Sequence, residues 1–414
     1  MRLNLLNLAR GLMGLCSRSR AQFTPVRTKS NVILLPSACS VCRESEGRGM
    51  NFTFTQDQLD FQDAIASMLR GEVTADAVRG RWATTAGVDE RFLSQVHELG
   101  LNSMLVPEAL GGLGLGVTDF ILLAEACGEV ALPEPVVESV MVSTPLLVDI
   151  LDQGLGNADI QKVVDGVLAG DLRVSLGHAI NPCINYADSA DWFLVSEGDG
   201  IYLVPKEVIS LKIRKSVDPS RRLFSVSFDP RDHVRVADGD VGARLQRSTL
   251  NRGALANAAQ LVGLSKGMLD QSVRYTTDRE QFGRAIGANQ AVKHLLADVA
   301  VQVEYAKPVV YRAAYTVGVS PNRADFAVSH AKSAAARAAL MASRHCTQVH
   351  GAMGYTWECD LQIWTKRAWA LAREWGDEGF HNNRIHEWLL RKDALLGPEF
   401  TFGRGSITDL EKAS

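Results

Sequence analysis

The amino-acid sequence predicts a mainly α-helical protein with a small β domain between two helical parts. Three changes of pattern support this prediction: helical spacing of apolar residues over about 56–168, short β-type runs over about 173–247, and long amphipathic stretches over about 249–396. We therefore expect an N-terminal helical domain, a short antiparallel β domain and a C-terminal four-helix bundle. The predicted division is an arm at 1–49, the three domains at 50–171, 172–247 and 248–396, and a tail at 397–414.

The N-terminal part carries apolar residues at the three- and four-residue steps of amphipathic helices. Examples are Leu59, Phe61, Ile65, Met68 and Leu69. The glycine-rich run at 111–116 lacks the G-x-G-x-x-G spacing of a dinucleotide-binding turn, and no strand is predicted before it. We expect this run to form a tight loop.

The middle part has the short, β-branched and aromatic runs of strands. Three runs stand out, Trp192–Ser196, Ile201–Pro205 and Leu223–Phe228, and turn-forming residues such as those at 197–200 separate them. About 75 residues suffice for a small antiparallel unit but not for a large sandwich.

The C-terminal part returns to long amphipathic helices. One helix is marked by an apolar stripe: Val292, Leu295, Leu296, Val299, Val303, Ala306 and Val310. An Ala-rich stretch at 324–342 predicts a second helix that packs closely. Strands and helices do not alternate as in a doubly wound sheet, so a nucleotide is not expected to bind in the Rossmann manner.

The first 49 residues differ in composition from the rest. Of the chain's 44 basic and 47 acidic residues, eight and two lie here, giving a net charge of +6 against −9 for the remainder. An Arg- and Ser-rich, acid-poor start is typical of an organellar transit peptide, but we favour a disordered arm or a mis-assigned start before Met50 as the explanation. We expect a bacterial cytoplasmic protein, with the mitochondrial matrix as the alternative if the arm is a transit peptide.

Composition also excludes several classes of protein. A formal net charge of −3 offers no basic surface for nucleic acid, and no apolar run approaches the roughly 20 residues of a membrane span. Seven cysteines at irregular spacings do not form a disulfide framework. Cys39 and Cys42 make one CxxC pair, but no second pair follows at zinc-ligand spacing. We expect no metal site.

Three motifs together resemble one known family. They are RYTTDREQFGRAIG at 274–287, followed by QAVKH at 290–294; QVHGAMGYTWE at 348–358; and VPEALGGLG at 106–114. Taken in their order along the chain, the three motifs resemble those of the flavin-dependent acyl-CoA dehydrogenases. The resemblance covers about residues 52–395. It implies FAD as cofactor, an acyl-CoA thioester as substrate and an electron-transfer flavoprotein as electron acceptor.

The motifs contain residue types suited to a flavin dinucleotide. Its two phosphates are negative, so Arg279 with the amide donors Gln281 and Gln290 suits the pyrophosphate, and Phe282 offers a ring for stacking. The resemblance implies that both C-terminal motifs reach across a subunit interface to a flavin held mainly by the neighbouring chain. The predicted cofactor-binding residues are Arg279, Gln281, Phe282, Gln290, Gln348, His350 and Gly351.

The sequence departs from the family pattern in the β domain. Family members carry a T-E-P-x-x-G-S-D-like stretch that holds the flavin ring, whereas this chain reads HAINPCINYAD at 178–188. A chain that keeps the cross-subunit motifs but lacks this one resembles the partner subunit of heteromeric bacterial acyl-CoA dehydrogenases, including those of steroid side-chain breakdown. We therefore expect a hetero-oligomer with a second acyl-CoA dehydrogenase-like chain.

The position of the catalytic carboxylate differs as well. Family members use a Glu in a Tyr-Glu-Gly-Thr loop, and Trp375 stands at that position here; the family's alternative position falls on 251–253, where no carboxylate occurs. The nearest carboxylates are Asp377 and Glu374, each with a helix cap or salt bridge as the alternative role. These departures favour a base supplied by the partner chain.

Three functions remain open. The first is a subunit of an FAD-dependent acyl-CoA dehydrogenase acting in lipid or steroid side-chain degradation. The second is a self-sufficient homo-oligomeric acyl-CoA dehydrogenase, and the third is a non-catalytic scaffold with the same fold.

Overall fold

A computed structural model describes residues 23–27, 32–36, 53–84, 87–232, 234–392 and 394. Within the predicted arm, the described backbone forms β1 (Phe23–Arg27) and β2 (Val32–Pro36), which pair antiparallel. The rest of the arm, with its CxxC pair and its suggested transit peptide, lies outside the described residues, as does the predicted tail at 397–414.

The N-terminal part is helical, as the spacing of apolar residues predicts. Its helices are α1 (Gln56–Glu72), α2 (Ala75–Trp82), α3 (Glu90–Glu98), α4 (Val117–Glu129), α5 (Val136–Glu138), α6 (Thr144–Asp152) and α7 (Ala158–Ala169), and a π-helical turn, Ser139–Ser143, joins α5 to α6. A capping box starts α1: Thr55 accepts a hydrogen bond from the Gln58 N–H, and Gln58 accepts one from the Thr55 N–H.

The glycine-rich run forms the predicted tight loop. Gly111 has φ +86°, and a Cβ on Gly112 would lie 2.1 Å from the carbonyl oxygen of Val106. Only glycine meets both demands without strain, so these glycines serve the turn rather than a nucleotide.

The β domain contains two small sheets, hereafter the β unit. Its strands are β3 (Val174–Gly177), β4 (Ile184–Asn185), β5 (Trp192–Glu197), β6 (Gly200–Pro205), β7 (Ser210–Arg214), β8 (Leu223–Ser227) and β9 (Val234–Ala237). Their orders are β3-β5-β6-β9 and β4-β8-β7. The expectation of a purely antiparallel unit is wrong for one pair: β3 and β5 run parallel, because the chain crosses to the second sheet through β4 between them.

The C-terminal part contains three long helices and two short ones. They are α8 (Gly239–Asp278), α9 (Gln290–Val319), α10 (Ala324–His350), α11 (Leu361–Leu371) and α12 (Glu378–Leu389). A short hairpin, β10 (Glu280–Gln281) and β11 (Arg284–Ala285), separates α8 from α9. The Ala-rich α10 packs closely against both α8 and α9, and α8 also packs on α4 of the N-terminal part. The mainly helical fold with a small β domain is thus confirmed, while the residue boundaries of the domains stay a prediction.

One continuous apolar core runs from α1 through the bundle to Trp375. A second, smaller core within the β unit is built around Ile184, Phe193, Val204 and Phe224. Over the part of the chain that the structure describes, none of the helices has the length and apolar character required to cross a bilayer.

Candidate functional site

The first predicted cofactor motif lies where α8 ends. Arg279 leaves the helix in an extended conformation, and its N–H donates to the carbonyl of Tyr275 at 2.9 Å. The hairpin that follows turns at Phe282, with φ +56°, and Gly283, with φ +74°. The turn places the Phe282 ring on the surface, fully exposed. Gln281 and Gln290 are exposed beside it.

The second predicted cofactor motif lies where α10 ends. Gln348 is exposed in the last turn, His350 is buried, and Gly351 has φ +61° with open space where a Cβ would stand. The His350 ring stacks on the ring of Tyr275, with centroids 4.2 Å apart and planes at 17°. The two motifs therefore meet at one end of the bundle. We call residues 279–290 and 348–351 together the cofactor edge.

The cofactor edge offers hydrogen-bond donors and an aromatic ring of the kinds that an anionic, ring-bearing ligand requires. Among the described residues, no carboxylate lies within ion-pair distance of Arg279, so its guanidinium is free to pair with phosphate. The exposed amides offer further donors, and Phe282 offers an uncovered aromatic face. All seven predicted cofactor residues lie at this edge, although their binding role stays a prediction.

A groove of about 470 Å³ lies next to the cofactor edge. Its lining comes from α10, from the end of α11 and from the start of α12, and includes Leu340, Arg344, Trp369, Arg373 and Asp377. Leu340, Arg344 and Gln348 follow at four-residue steps on one side of α10. Gln348 of the cofactor edge therefore lies one helical turn beyond Arg344, which lines the groove.

The two predicted carboxylates face different surroundings. Asp377 lines the groove and caps α12, because its carboxylate accepts the N–H of Phe380 at 2.9 Å. This contact is the helix cap that the sequence offered as the alternative to a catalytic role. Glu374 points away from the groove, into the interior.

Glu374 is buried in a network of donors. Arg221 pairs with it, and the side-chain amides of Asn185 and Asn257 donate to it at 2.6 and 3.0 Å. Burial alone would raise the pKa of Glu374, but the Arg221 guanidinium and the two amides hold that pKa below its ordinary value. Glu374 is thus a stable anion rather than a proton acceptor tuned near neutrality.

Sequence reasoning missed a third carboxylate, Glu138. Asn185 donates to Glu138 at 3.0 Å as well as to Glu374, so the two acids share one amide. Burial and the neighbouring charge of Glu374 raise the pKa of Glu138 to about 7. The only signal in the sequence is a charged residue inside the apolar run VVESVMV at 136–142.

Trp375, the residue that the resemblance aligns with the family's catalytic glutamate, is held in place by the β unit. The Trp375 side chain is buried, and its backbone has φ +58°. The backbone N–H donates to Oδ1 of Asn181 at 2.9 Å, and the ring centroids of Trp375 and His178 lie 5.4 Å apart. Asn181 and His178 belong to the loop that replaces the ring-binding motif. The β unit therefore closes directly onto the loop after α11.

The cleft between the β unit and the bundle is small. It is lined by Glu138, Asn185, Arg221, Asn257, Glu374 and Trp375 among others. Its volume is about 30 Å³, which is close to the space of one water molecule. The three-ring flavin system does not fit there, whereas the open cofactor edge suits the pyrophosphate end of the same cofactor.

Among the described residues, His, Cys, Asp and Glu side chains nowhere gather in a group of three or more that could hold a metal ion. The described cysteines, such as Cys127 and Cys346, are free thiols, and burial raises the pKa of both.

Comparison with known proteins gives consistent matches over most of the chain. A family model for the acyl-CoA dehydrogenase N-terminal domain matches residues 55–166, and one for the C-terminal domain matches 240–390. Acyl-CoA dehydrogenase IpdE2 of Mycolicibacterium smegmatis is 27% identical over 314 residues, which cover 75% of this chain and 92% of that protein.

Solved structures match the fold. A chain of the ChsE4-ChsE5 complex from Mycobacterium tuberculosis superposes with a TM-score of 0.73 at 23% identity, covering 82% of this chain and 99% of that one. A chain of a variant of the Tcur3481-Tcur3483 steroid ACAD superposes with a TM-score of 0.70 at 21% identity, covering 80% and 97%. At these identities the likeness concerns the fold.

Proposed function

The chain belongs to the acyl-CoA dehydrogenase family, and from this membership we propose that it is a subunit of an FAD-dependent enzyme that desaturates an acyl-CoA between C2 and C3. Family membership supports an oxidoreductase that acts on acyl-CoA. The finer proposal is that this chain works with a second, acyl-CoA dehydrogenase-like chain that holds the flavin ring.

The observation that carries the proposal is the contrast between the open cofactor edge and the closed cleft. The edge exposes Arg279, Phe282 and Gln348, whereas the cleft of about 30 Å³ is closed by Trp375 and the β-unit loop. A chain that held its own flavin ring would need the opposite arrangement. The edge instead suits a cofactor that the partner carries.

The roles of this chain's residues follow from that arrangement. When bound, FAD would supply the acceptor for the hydride that leaves C3 of the thioester, and a base would take the C2 proton. Arg279 would neutralise the pyrophosphate, Gln281, Gln290 and Gln348 would donate to it or to the adenosine, and Phe282 would cover an aromatic face. The positive φ of Gly351 leaves its backbone open to close approach.

We assign the base to the partner chain. Glu374 is held as an anion by Arg221, and Asp377 is engaged in capping α12. Neither lies in a dry cavity that also offers room for a thioester, which a general base in this reaction requires.

The substrate and the electron acceptor are proposed by analogy. The Tcur3481-Tcur3483 protein is named as a steroid ACAD, and ChsE4-ChsE5 is named as a complex of two components. We extend both features to this chain: a thioester from lipid or steroid side-chain degradation, and a two-chain enzyme. The electron acceptor would be an electron-transfer flavoprotein.

One observation favours the self-sufficient enzyme as a second candidate. Arg344 and Arg373 line the groove of about 470 Å³, and Arg344 lies one helical turn before Gln348 on α10. A dinucleotide held there by the chain itself would make a partner unnecessary. Asp377 and Glu378 line the same groove, however, and their negative charges oppose a pyrophosphate.

The test is activity by complementation. The chain, a candidate partner that keeps a ring-binding motif and the co-expressed pair would each be assayed for acyl-CoA-dependent reduction of an artificial electron acceptor. We expect turnover by the pair that exceeds the sum of the separate chains. Full turnover by this chain alone would favour the self-sufficient enzyme, and no contribution to the partner's turnover would favour the scaffold.

A further inference from the structure

The two halves of the cofactor edge are far apart in sequence, and Tyr275 contacts both of them. We propose that Tyr275 is a positioning residue, which fixes the separation between Arg279 on one side and the Gln348–Gly351 turn on the other. This inference rests on the proposed function, because it concerns the geometry of the same cofactor edge.

The backbone of Tyr275 sets the path of the first half. Its carbonyl accepts the N–H of Arg279 at 2.9 Å, the contact at which α8 ends. The carbonyl of Arg279 then accepts the N–H of Ile286 at 2.9 Å, which closes the hairpin onto the helix end. The direction in which Arg279 leaves α8 is therefore tied to the position of Tyr275.

The side chain of Tyr275 sets the position of the second half. Its ring stacks on His350 at 4.2 Å, and Nδ1 of His350 is 2.7 Å from the carbonyl oxygen of Cys346. Burial lowers the pKa of His350, so the ring is neutral at pH 7, and a neutral Nδ1–H can donate to that carbonyl. A stack on one face and a hydrogen bond at the edge hold the His350 ring in place, and Gly351 follows it directly.

The aromatic ring, rather than the hydroxyl, makes this contact. The Tyr275 hydroxyl lies 3.5 Å from the carbonyl oxygen of His350, at the outer limit of a hydrogen bond. A stacked pair of aromatic rings contributes about 0.5 to 1.5 kcal/mol beyond its buried area. Phenylalanine should therefore replace Tyr275 without loss, whereas leucine, which keeps apolar volume but has no ring, should not.

The experiment uses the complex with the partner and measures FAD dissociation by equilibrium dialysis, together with the thermal midpoint. The variants are Tyr275→Leu, Tyr275→Phe and, as the matched control, Tyr202→Leu, which removes a ring pair of 5.7 Å with Phe228 inside the β unit. Arg279→Ala is the reference for the cofactor edge itself. If Tyr275→Leu does not fold, Tyr275→Met, whose flexible side chain refills irregular space, takes its place.

We expect Tyr275→Leu to weaken FAD retention about three- to tenfold, with Tyr275→Phe and Tyr202→Leu within about twofold of the parent. Tyr275→Leu and Tyr202→Leu should lower the thermal midpoint by similar amounts. Parent-like retention by Tyr275→Leu, while Arg279→Ala loses FAD, would overturn the role of Tyr275 alone. Parent-like retention by Arg279→Ala would instead overturn the proposed function.

Discussion

The indole of Trp375 lies directly against the backbone of Gly253: a Cβ built on Gly253 would come within 2.2 Å of Cδ2 of Trp375. Trp375 stands at one of the two positions from which the resemblance led us to expect the catalytic carboxylate, and Gly253 belongs to the segment 251–253 at the other. Here the first position is a buried indole, and the second segment contains no carboxylate. The contact between the Trp375 indole and the Gly253 backbone leaves no carboxylate at the expected place of the base, which agrees with a base supplied by the partner chain.

Substitution of Gly253 by alanine tests this contact. We expect Gly253→Ala to destabilise the chain by roughly 1 to 3 kcal/mol, because the added methyl overpacks against the fixed indole. Urea denaturation measures the difference. The control is Gly71→Ala near the end of α1, where no atom lies within 4 Å of the added Cβ; unchanged stability of Gly253→Ala would show that the ring moves freely.

Substitution of Arg279 tests whether the cofactor edge binds FAD. A charge-assisted hydrogen bond to pyrophosphate contributes about 1.5 to 3 kcal/mol, so Arg279→Ala should weaken FAD retention by the assembled enzyme about ten- to a hundredfold. The fold should survive, since the residue is exposed. The control is Arg231→Ala, which replaces an exposed arginine of the β unit. Equal FAD retention by the two variants would show that Arg279 does not contact the cofactor.

Substitution of Asp377 tests whether this chain or its partner supplies the catalytic base. Asn caps helices as well as Asp does, so Asp377→Asn should preserve α12 and the FAD content. We expect solvent exchange of the C2 proton to fall less than about fivefold, far below the roughly 10² to 10⁴-fold loss that removal of a general base causes. Deuterium uptake into the acyl-CoA, followed by mass spectrometry, measures this. Complete loss of exchange with FAD and assembly intact would make Asp377 the catalytic base.

Titration of His381 should make the stability of the fold depend on pH in the acid range. It is fully buried, its Nε2 lies 2.8 Å from the carbonyl oxygen of Trp375, and burial and Lys332 lower its pKa to about 3. The folded-state pKa lies below the unfolded one, so the stability it contributes is present above about pH 6.5 and is lost as pH falls towards about 3.

The matched variant is His381→Gln, which cannot titrate. Each pH unit in that window is worth up to about 1.4 kcal/mol per proton. We therefore expect the difference in unfolding free energy to shift in favour of the variant by roughly 2 kcal/mol between about pH 6.5 and about pH 5. The carboxylates are common to both proteins and cancel in this difference. A constant difference across the window would contradict the lowered pKa.

Local patterns in the sequence were sufficient for most of the fold. The stripe from Val292 to Val310 lies within α9, and the runs at Trp192, Ile201 and Leu223 coincide with β5, β6 and β8. Strands β3, β4, β7 and β9 were not predicted: β3, β4 and β9 have four residues or fewer, and β7 is mostly exposed. The parallel pairing of β3 and β5 depends on a crossover, which local patterns do not encode.

The candidate site was less predictable, because its parts come from distant segments. The motifs identified Arg279 and Gln348, but the contact between Tyr275 and His350 joins residues 75 positions apart. Glu138 could not be assigned from sequence, since its raised pKa depends on burial and on the charge of Glu374, which lies more than 200 positions away in the chain. Burial and long-range charge, rather than local spacing, decide such properties.

The central claim is that this chain contributes cofactor contacts without holding the flavin ring itself. The most direct measurement is the ratio of FAD to protein, from the absorption spectrum, for the chain purified alone and for the complex with its partner. We expect a colourless or weakly yellow lone chain and a mixed oligomer with fewer flavins than chains. One tightly bound FAD per chain in the lone protein would contradict it.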